Sequence, residues 1–306
     1  MTEGYQALRH GAAFLDVSAR GRILARGRDR ARLLHNVTSN EVKKMMPGSG
    51  CYAFLLSPQG RIQADLHLLC FDDRILIETA SELREKVLQH IRRYIIADQV
   101  ELEDVTAQTG EIALEGPGAA ATLAALNAPN PGADYAHLTW GEATVASMSL
   151  TGQPGFRIFG GGDILSRLAL AGAKPATEDD LRQVRIENGR PRYGEDIREN
   201  HLPQETQQMH AVSFTKGCYL GQEIVERIRA QGHVNKKLVR IEIDASEPPP
   251  AGTKLTVDGA EAGEITSAIY SPELHRTVGL AYVRTPHAIP ATQLRAGDAR
   301  ALVTPE

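Results

Sequence analysis

The sequence is poor in cysteine and has no long apolar run. Its three cysteines, Cys51, Cys70 and Cys218, are odd in number and widely separated, so a disulfide framework is not expected. Structural zinc sites usually draw their ligands from short paired spacings, and the sequence contains no C-x-x-C or C-x-x-H pair. We therefore predict no metal site.

Membrane and nucleic-acid partners are also not expected. No apolar segment approaches the ~20 residues that a membrane-spanning helix needs, and residues 1–11 are too polar for a signal peptide. The net charge of -4 is spread along the chain, without the basic patch that binds a phosphate backbone. These features predict a cytoplasmic protein.

The order of strand-like and helix-like segments indicates the fold class. The 306 residues are about twice the usual ~150-residue domain, so more than one packed module is expected. Strands and helices alternate without regular βαβ units, which favours an α+β fold with largely antiparallel sheets. From Lys236 onward short strands repeat without helical periodicity, which predicts a small β-barrel over residues 236–306.

A hairpin is predicted in the first third of the chain. Two strands, 51–57 and 62–70, are joined by the turn Ser57-Pro58-Gln59-Gly60. The second strand alternates apolar and polar residues, and Asp65 falls on its polar face. An aspartate on such a face is usually solvated, but it is also a candidate for chemistry.

The segment Lys216-Gly217-Cys218-Tyr219-Leu220-Gly221-Gln222-Glu223 precedes a predicted helix. The positive end of the helix dipole and the nearby Lys216 would favour the thiolate form of Cys218. A lone cysteine, however, is more often a buried and inert small hydrophobe. The residues themselves leave both readings open.

This octapeptide resembles the K-G-C-Y-x-G-Q-E signature of the YgfZ family, folate-binding proteins that maintain iron-sulfur enzymes. Upstream, residues 185–189 and 193–196 resemble the R-x-E-A-G…Y-G-x-D element of the related aminomethyltransferases. Downstream, residues 263–267 and 278–281 resemble the C-terminal barrel of the same superfamily. Together these stretches extend the resemblance over most of the chain.

The resemblance implies a ring-like, three-part aminomethyltransferase fold that binds folate. It implies a folate-binding module over residues 1–235, built from two α+β lobes. The first lobe would be discontinuous, combining about 1–48 with 141–235, and the second would span about 49–140. The barrel at 236–306 would complete the ring.

Two acids become candidate folate contacts through the resemblance. Glu187 matches the glutamate that binds the pterin, where a carboxylate can accept two donors; otherwise it is a solvated acid on a helix capped by Thr177 and ended by Gly189. Asp65 matches the second acid of a G-G-x-x-D-D stretch that acts in methylene transfer. Ala64 replaces the first acid, which makes classical aminomethyltransferase activity doubtful.

Two further side chains could contact folate. Tyr219 could stack on the pterin, although an aromatic residue beside a motif usually belongs to the core. Arg227 could bind the glutamate tail of folate, or it could pair with Glu223 one helical turn away.

The function implied is that of a tetrahydrofolate-binding protein supporting assembly or repair of iron-sulfur enzymes through Cys218, assisted by Lys216. Its partners would be iron-sulfur enzymes or assembly proteins. Three separated cysteines are too few to hold a stable cluster. The alternatives are a folate-dependent aminomethyl or one-carbon transferase that uses Asp65, and a non-catalytic scaffold.

Overall fold

The computed structural model describes residues 1–232 and 234–305. Its helices are α1 (Glu3–His10), α2 (Arg30–Val37), α3 (Arg84–Arg92), α4 (Ala119–Ala125), α5 (Ile164–Leu170), α6 (Glu178–Glu187) and α7 (Gln222–Gln231). None of these described helices is long and apolar enough to cross a membrane.

The strands form two open sheets and a closed barrel. They are β1 (Ala13–Asp16), β2 (Gly21–Arg26), β3 (Ser49–Leu56), β4 (Ile62–Cys70), β5 (Arg74–Thr79), β6 (Glu101–Asp104), β7 (Glu111–Glu115), β8 (His137–Trp140), β9 (Ala143–Ser147), β10 (Gly155–Phe159), β11 (Lys174–Pro175), β12 (Lys236–Ile243), β13 (Lys254–Val257), β14 (Ala260–Ser271), β15 (Arg276–Arg284), β16 (Gln293–Ala296) and β17 (Ala299–Val303). The sheet orders are β11-β1-β7-β10-β9-β8 and β3-β4-β5-β2-β6, and the barrel order is β12-β15-β14-β13-β16-β17. The predicted α+β class and the C-terminal barrel are confirmed.

The five-stranded sheet has one apolar and one polar face, because side chains alternate along each strand. On β4, Ala64, Leu66 and Leu68 are buried in a cluster that includes Leu34 of α2 and Val87 of α3. The helices therefore cover this face and form a core with the five-stranded sheet.

The polar face of the same sheet carries Asp65 and His67 of β4. Glu78 of β5 lies opposite His67, and Arg22 of β2 lies opposite Glu78. Arg22, His67 and Glu78 are buried, and Asp65 is partly buried. The sequence suggested a solvated face for Asp65, but this face turns toward the second sheet.

The six-stranded sheet is built in the same way. Its apolar face buries Leu114 and Ile158 against Leu123 of α4 and Leu168 of α5. The opposite face carries charged residues of β7 and β10, and it meets the polar face of the first sheet.

Buried ion pairs join the two polar faces. Arg22 donates to one carboxylate oxygen of Glu111 at 3.0 Å, and Arg157 donates to the other. Arg22 also donates to the carbonyl oxygens of Thr106 and Thr109, each at 2.7 Å. Each guanidinium thus lies against a carboxylate oxygen of Glu111, which offsets part of the cost of burying these charges.

Strand pairing links segments on both sides of the lobe boundaries that the resemblance implies. Residues 21–26 pair with 74–79 and 101–104, so they share a sheet with the segment predicted as the second lobe. Residues 111–115 pair with 13–16 and 155–159 in the other sheet. The lobe boundaries themselves stay a prediction.

The barrel has its own core and is attached by polar contacts. Leu255, Ile265 and Val283 belong to its buried cluster. The hydroxyls of Thr266 and Ser267 donate to Asp196 at 2.6 and 2.7 Å, so this acid fastens the barrel to the rest of the chain.

Candidate functional site

A cavity of about 180 Å³ lies where the polar faces of the two sheets meet. Strands β3 and β4, the turn before β2, helix α6 and the segment after α6 contribute to its wall. Acidic, aromatic and basic side chains line it, among them Arg20, Tyr52, Asp65, His67, Arg190 and Tyr193. We refer to it as the central cavity.

Asp65 lines the central cavity from β4. The hydroxyl of Tyr52 donates to its carboxylate at 3.0 Å. Burial raises the pKa of Asp65, against the opposing charge of Arg20. A carboxylate in this setting can accept a ligand N–H or take up a proton more readily than an exposed aspartate.

Ala64 points the other way, into the apolar core, and is 1% exposed. Because adjacent residues on a strand face opposite sides, an acid at position 64 would not reach the central cavity from this strand. The presence of alanine at position 64, where the transferases have an acid, therefore does not change which acidic side chains line the central cavity.

His67 is held neutral beside Asp65. Burial lowers the pKa of His67 to about 3, despite the nearby carboxylate of Glu78. Its Nδ1 lies 2.8 Å from the hydroxyl of Tyr135. The Arg20 ion pair holds the pKa of Glu78 below its usual range in spite of burial. The charge of Glu78 is therefore already balanced, and His67 contributes a neutral polar group.

Arg190 is a cation of the central cavity that sequence reasoning missed. It is half-buried, and it forms no ion pair with the described residues, whereas the neighbouring Arg182 is bound to Glu195 at 2.6 Å. Its charge contributes to lowering the pKa of His210, after burial. The sequence signal that could have pointed to Arg190 is its position directly after Gly189, the glycine predicted to end helix α6.

Glu187 is 2% exposed and does not line the central cavity. Its carboxylate accepts from the hydroxyls of Tyr5 at 2.7 Å and Ser271 at 2.6 Å, so it links α1, α6 and the barrel. Arg9 lies 3.5 Å from the second oxygen, Oε2, which has no hydrogen bond with the described residues. The pterin contact of Glu187 stays a prediction.

The ammonium group of Lys216 caps the C-terminal end of helix α2. The ammonium donates to the carbonyl oxygens of His35, Thr38 and Asn40, the latter two at 2.6 and 2.7 Å. Burial lowers the pKa of Lys216 to about 8. Its three donors are occupied by carbonyls, so Lys216 positions the loop instead of offering a free charge to Cys218.

Cys218 is exposed in the loop that precedes α7. The loop is held against α2 by the amide of Leu220, which donates to the carbonyl of Asn36 at 3.1 Å. Within the described part of the chain, no group of three His, Cys, Asp or Glu side chains is arranged to hold a metal ion. Because its side chain is exposed, the Cys218 thiol can reach a molecule in solution.

Tyr219 and Arg227 lie outside the central cavity as well. Tyr219 is 7% exposed and packs in the core of the five-stranded sheet, with the ammonium of Lys216 4.8 Å from its ring centre. Arg227 is exposed on α7, and the anticipated pairing with Glu223 is not formed in the described structure. The structure brings only Asp65 of the six predicted site residues to the cavity wall.

Comparison with known families agrees with this architecture. A family model described as the GCVT N-terminal domain matches residues 1–216, and one described as the glycine cleavage T-protein C-terminal barrel domain matches residues 236–302. The protein belongs to the glycine cleavage T-protein family. The predicted aminomethyltransferase superfamily is confirmed.

Individual relatives cover most of the chain. An aminomethyltransferase of Rubrobacter xylanophilus is 32% identical over 290 residues, 91% of this chain and 78% of the relative. A putative chloroplastic transferase of Arabidopsis thaliana is 28% identical over 92% of this chain and 67% of its own length. The crystal structure of glycine cleavage system aminomethyltransferase T from Bartonella henselae superposes with a TM-score of 0.90 at 19% identity, covering 99% of this chain and 88% of that one. The fold is the aminomethyltransferase fold.

Proposed function

We propose that the protein binds tetrahydrofolate in the central cavity and supports assembly or repair of iron-sulfur enzymes through Cys218. The observation that carries the folate part is that one cavity holds both the partly buried acceptor Asp65 and the cation Arg190, which forms no ion pair with the described residues. The observation that carries the iron-sulfur part is the exposure of Cys218 within the K-G-C-Y-x-G-Q-E motif.

The residues of the cavity fit the chemistry of a reduced folate. Such a molecule has N–H donors on its pterin and carboxylates on its glutamate tail. Asp65 would accept from the donors, and Arg190 would bind a carboxylate with its planar guanidinium. Glu187 lies outside the wall of the central cavity, and its Oε2 forms no hydrogen bond with the described residues; a pterin contact for it rests on the family resemblance.

A second candidate function is one-carbon transfer, and the orientation of Ala64 favours it. Since position 64 faces the core, the cavity retains the acid that a transferase would use from this strand, Asp65. The raised pKa of Asp65 suits a group that accepts a proton during the reaction.

Calorimetric titration with tetrahydrofolate tests the folate proposal. We expect saturable binding that Arg190→Ala weakens by about 1.5–3 kcal/mol, the scale of hydrogen bonds to a charged group. Glu187→Gln tests the pterin contact that the family resemblance implies, and a loss of the same size would support that contact. Arg26→Ala, which removes an exposed arginine paired with Asp73, is the matched control and should bind normally. Absence of binding to the native protein would overturn the proposal. If Arg190→Ala weakened tetrahydrofolate binding and Glu187→Gln did not, Glu187 would be a structural link between α1, α6 and the barrel, and not a folate contact.

Two variants separate the two functions. In cells that lack the protein, Cys218→Ser should fail to restore iron-sulfur enzyme activity while retaining tetrahydrofolate affinity. Asp65→Asn tests transfer of a one-carbon group from an aminomethyl donor. Rapid turnover that Asp65→Asn abolishes, together with full complementation by Cys218→Ser, would establish the transferase in place of the maintenance role.

A further inference from the structure

A second cavity, of about 260 Å³, lies on the outer surface of the barrel and shares no lining residue with the central cavity. Lys236 of β12 and Arg284 of β15 are cross-strand partners on its wall. Arg198 and His201 come from the segment that crosses this part of the barrel. The ring of Tyr282 lies 4.1 Å from the His201 ring and 4.7 Å from the Lys236 ammonium.

The charges of this barrel cavity do not cancel. Lys254 is bound by both acids of the wall, Glu261 at 3.1 Å and Glu264 at 2.7 Å. These three side chains together carry one net negative charge. The three remaining cations form no ion pair with the described residues; they are Arg198, Lys236 and Arg284. The wall therefore carries an excess of about two positive charges.

Hydrogen-bond donors accompany this charge. Nδ1 of His201 accepts from the amide of Arg198 at 3.1 Å, so the neutral ring carries its proton on Nε2. Burial and the charges of Lys236 and Arg198 lower the pKa of His201 to about 4, which keeps the ring neutral. The hydroxyl of Tyr282 is buried and has no partner among the described residues. A ligand of this cavity would be an acceptor of hydrogen bonds.

We propose that the barrel cavity binds a phosphate monoester. A phosphate monoester carries close to two negative charges near pH 7 and three acceptor oxygens, which match the excess charge of the wall. The guanidinium groups of Arg198 and Arg284 can each bind two phosphate oxygens, and Lys236 supplies a point charge. The rings of Tyr282 and His201 provide a surface for the organic part of the molecule.

Titration with inorganic phosphate tests the proposal. Ionic strength is held constant with sodium chloride, and binding is followed by amide chemical shifts in NMR spectra. We expect saturable shifts confined to residues around Tyr282 and His201. Arg198→Ala and Arg284→Ala, which alter exposed side chains, should each raise the dissociation constant about tenfold or more. Arg300→Ala is the control, since this exposed barrel arginine does not line the cavity.

Three results would overturn the assignment. Phosphate shifts no larger than those caused by chloride would show that the cavity has no phosphate site. Shifts that Arg198→Ala and Arg284→Ala leave unchanged would place phosphate elsewhere. Equal affinity for succinate would show that the cavity takes any small dianion instead of a phosphate.

Discussion

The three cysteines illustrate how surroundings decide chemistry at the scale of single residues. Burial raises the pKa of Cys51 to about 12, and it also raises the pKa of Cys70. Cys218 is exposed. Because the thiolate is the reactive form and must meet its partner, burial suppresses reaction at the first two positions.

Cys218 should therefore react first with iodoacetamide near pH 8. We expect it to be alkylated at least about tenfold faster than Cys51 or Cys70 in the native protein, because the buried thiols are rarely ionised. Mass spectrometry of peptides after timed quenching measures the three rates. In the Cys218→Ser control, the other two rates should be unchanged. Equally fast alkylation of Cys51 would contradict the proposed selectivity.

At the scale of elements, the cysteine motif is a structural connection as well as a candidate reactive site. Lys216 ends α2, and Gly221 begins α7 with a φ of +82°. A Cβ at Gly221 would lie 2.5 Å from the carbonyl oxygen of Ser57 in the β3–β4 turn. Only glycine combines this left-handed backbone with such a close approach. The motif glycine therefore sets where the Cys218 loop meets the hairpin.

Gly221→Ala should lower the free energy of unfolding by about 2 kcal/mol or more, since left-handed backbone alone costs ~1–2 kcal/mol before the steric clash. Urea denaturation measures the change. Gly217→Ala is the matched control in the same loop: the nearest heavy atom to its new Cβ would be Nε2 of His35 at 3.9 Å. We expect the control to change stability by less than about 0.5 kcal/mol. Equal effects of the two changes would refute this role of Gly221.

At the scale of the whole molecule, two polar sheet faces bury charged and titratable groups between them. Arg22, Glu111 and Arg157 satisfy one another there, and His67 is buried in its neutral form. Unfolding releases His67 to its ordinary pKa of 6.5, whereas the native protein resists protonating it down to about pH 3. At His67, the unfolded chain consequently binds more protons than the native protein throughout this window.

The contribution of His67 to stability should thus rise with pH between about 4 and 6, where native His67 is neutral and unfolded His67 is charged. One proton of difference corresponds to a slope of about 1.4 kcal/mol per pH unit. His67→Gln, which keeps a polar side chain beside Tyr135, should reduce the slope by about that amount in urea unfolding at several pH values. His275→Asn, a change at an exposed histidine, should leave the slope unaltered. An unchanged slope in His67→Gln would show that His67 is protonated in the native state.

Local sequence patterns were sufficient for the β3–β4 hairpin, helix α6, the barrel and the aminomethyltransferase superfamily. Alternation predicted which side of β4 carries Asp65, and Thr177 caps α6 with a complete capping box. These features depend on neighbours within a few residues, and the family motifs are likewise contiguous. They can therefore be recognised without knowledge of the fold.

Tertiary structure alone decided what each side chain meets. Asp65 faces a second sheet because strands distant in sequence pair around it. Among the described residues Arg190 has no carboxylate partner, since Glu195 and Asp196 already bind Arg182 and Arg185. Lys216 meets three carbonyl oxygens from a segment more than 170 residues away. Such contacts depend on long-range packing, which no local pattern encodes.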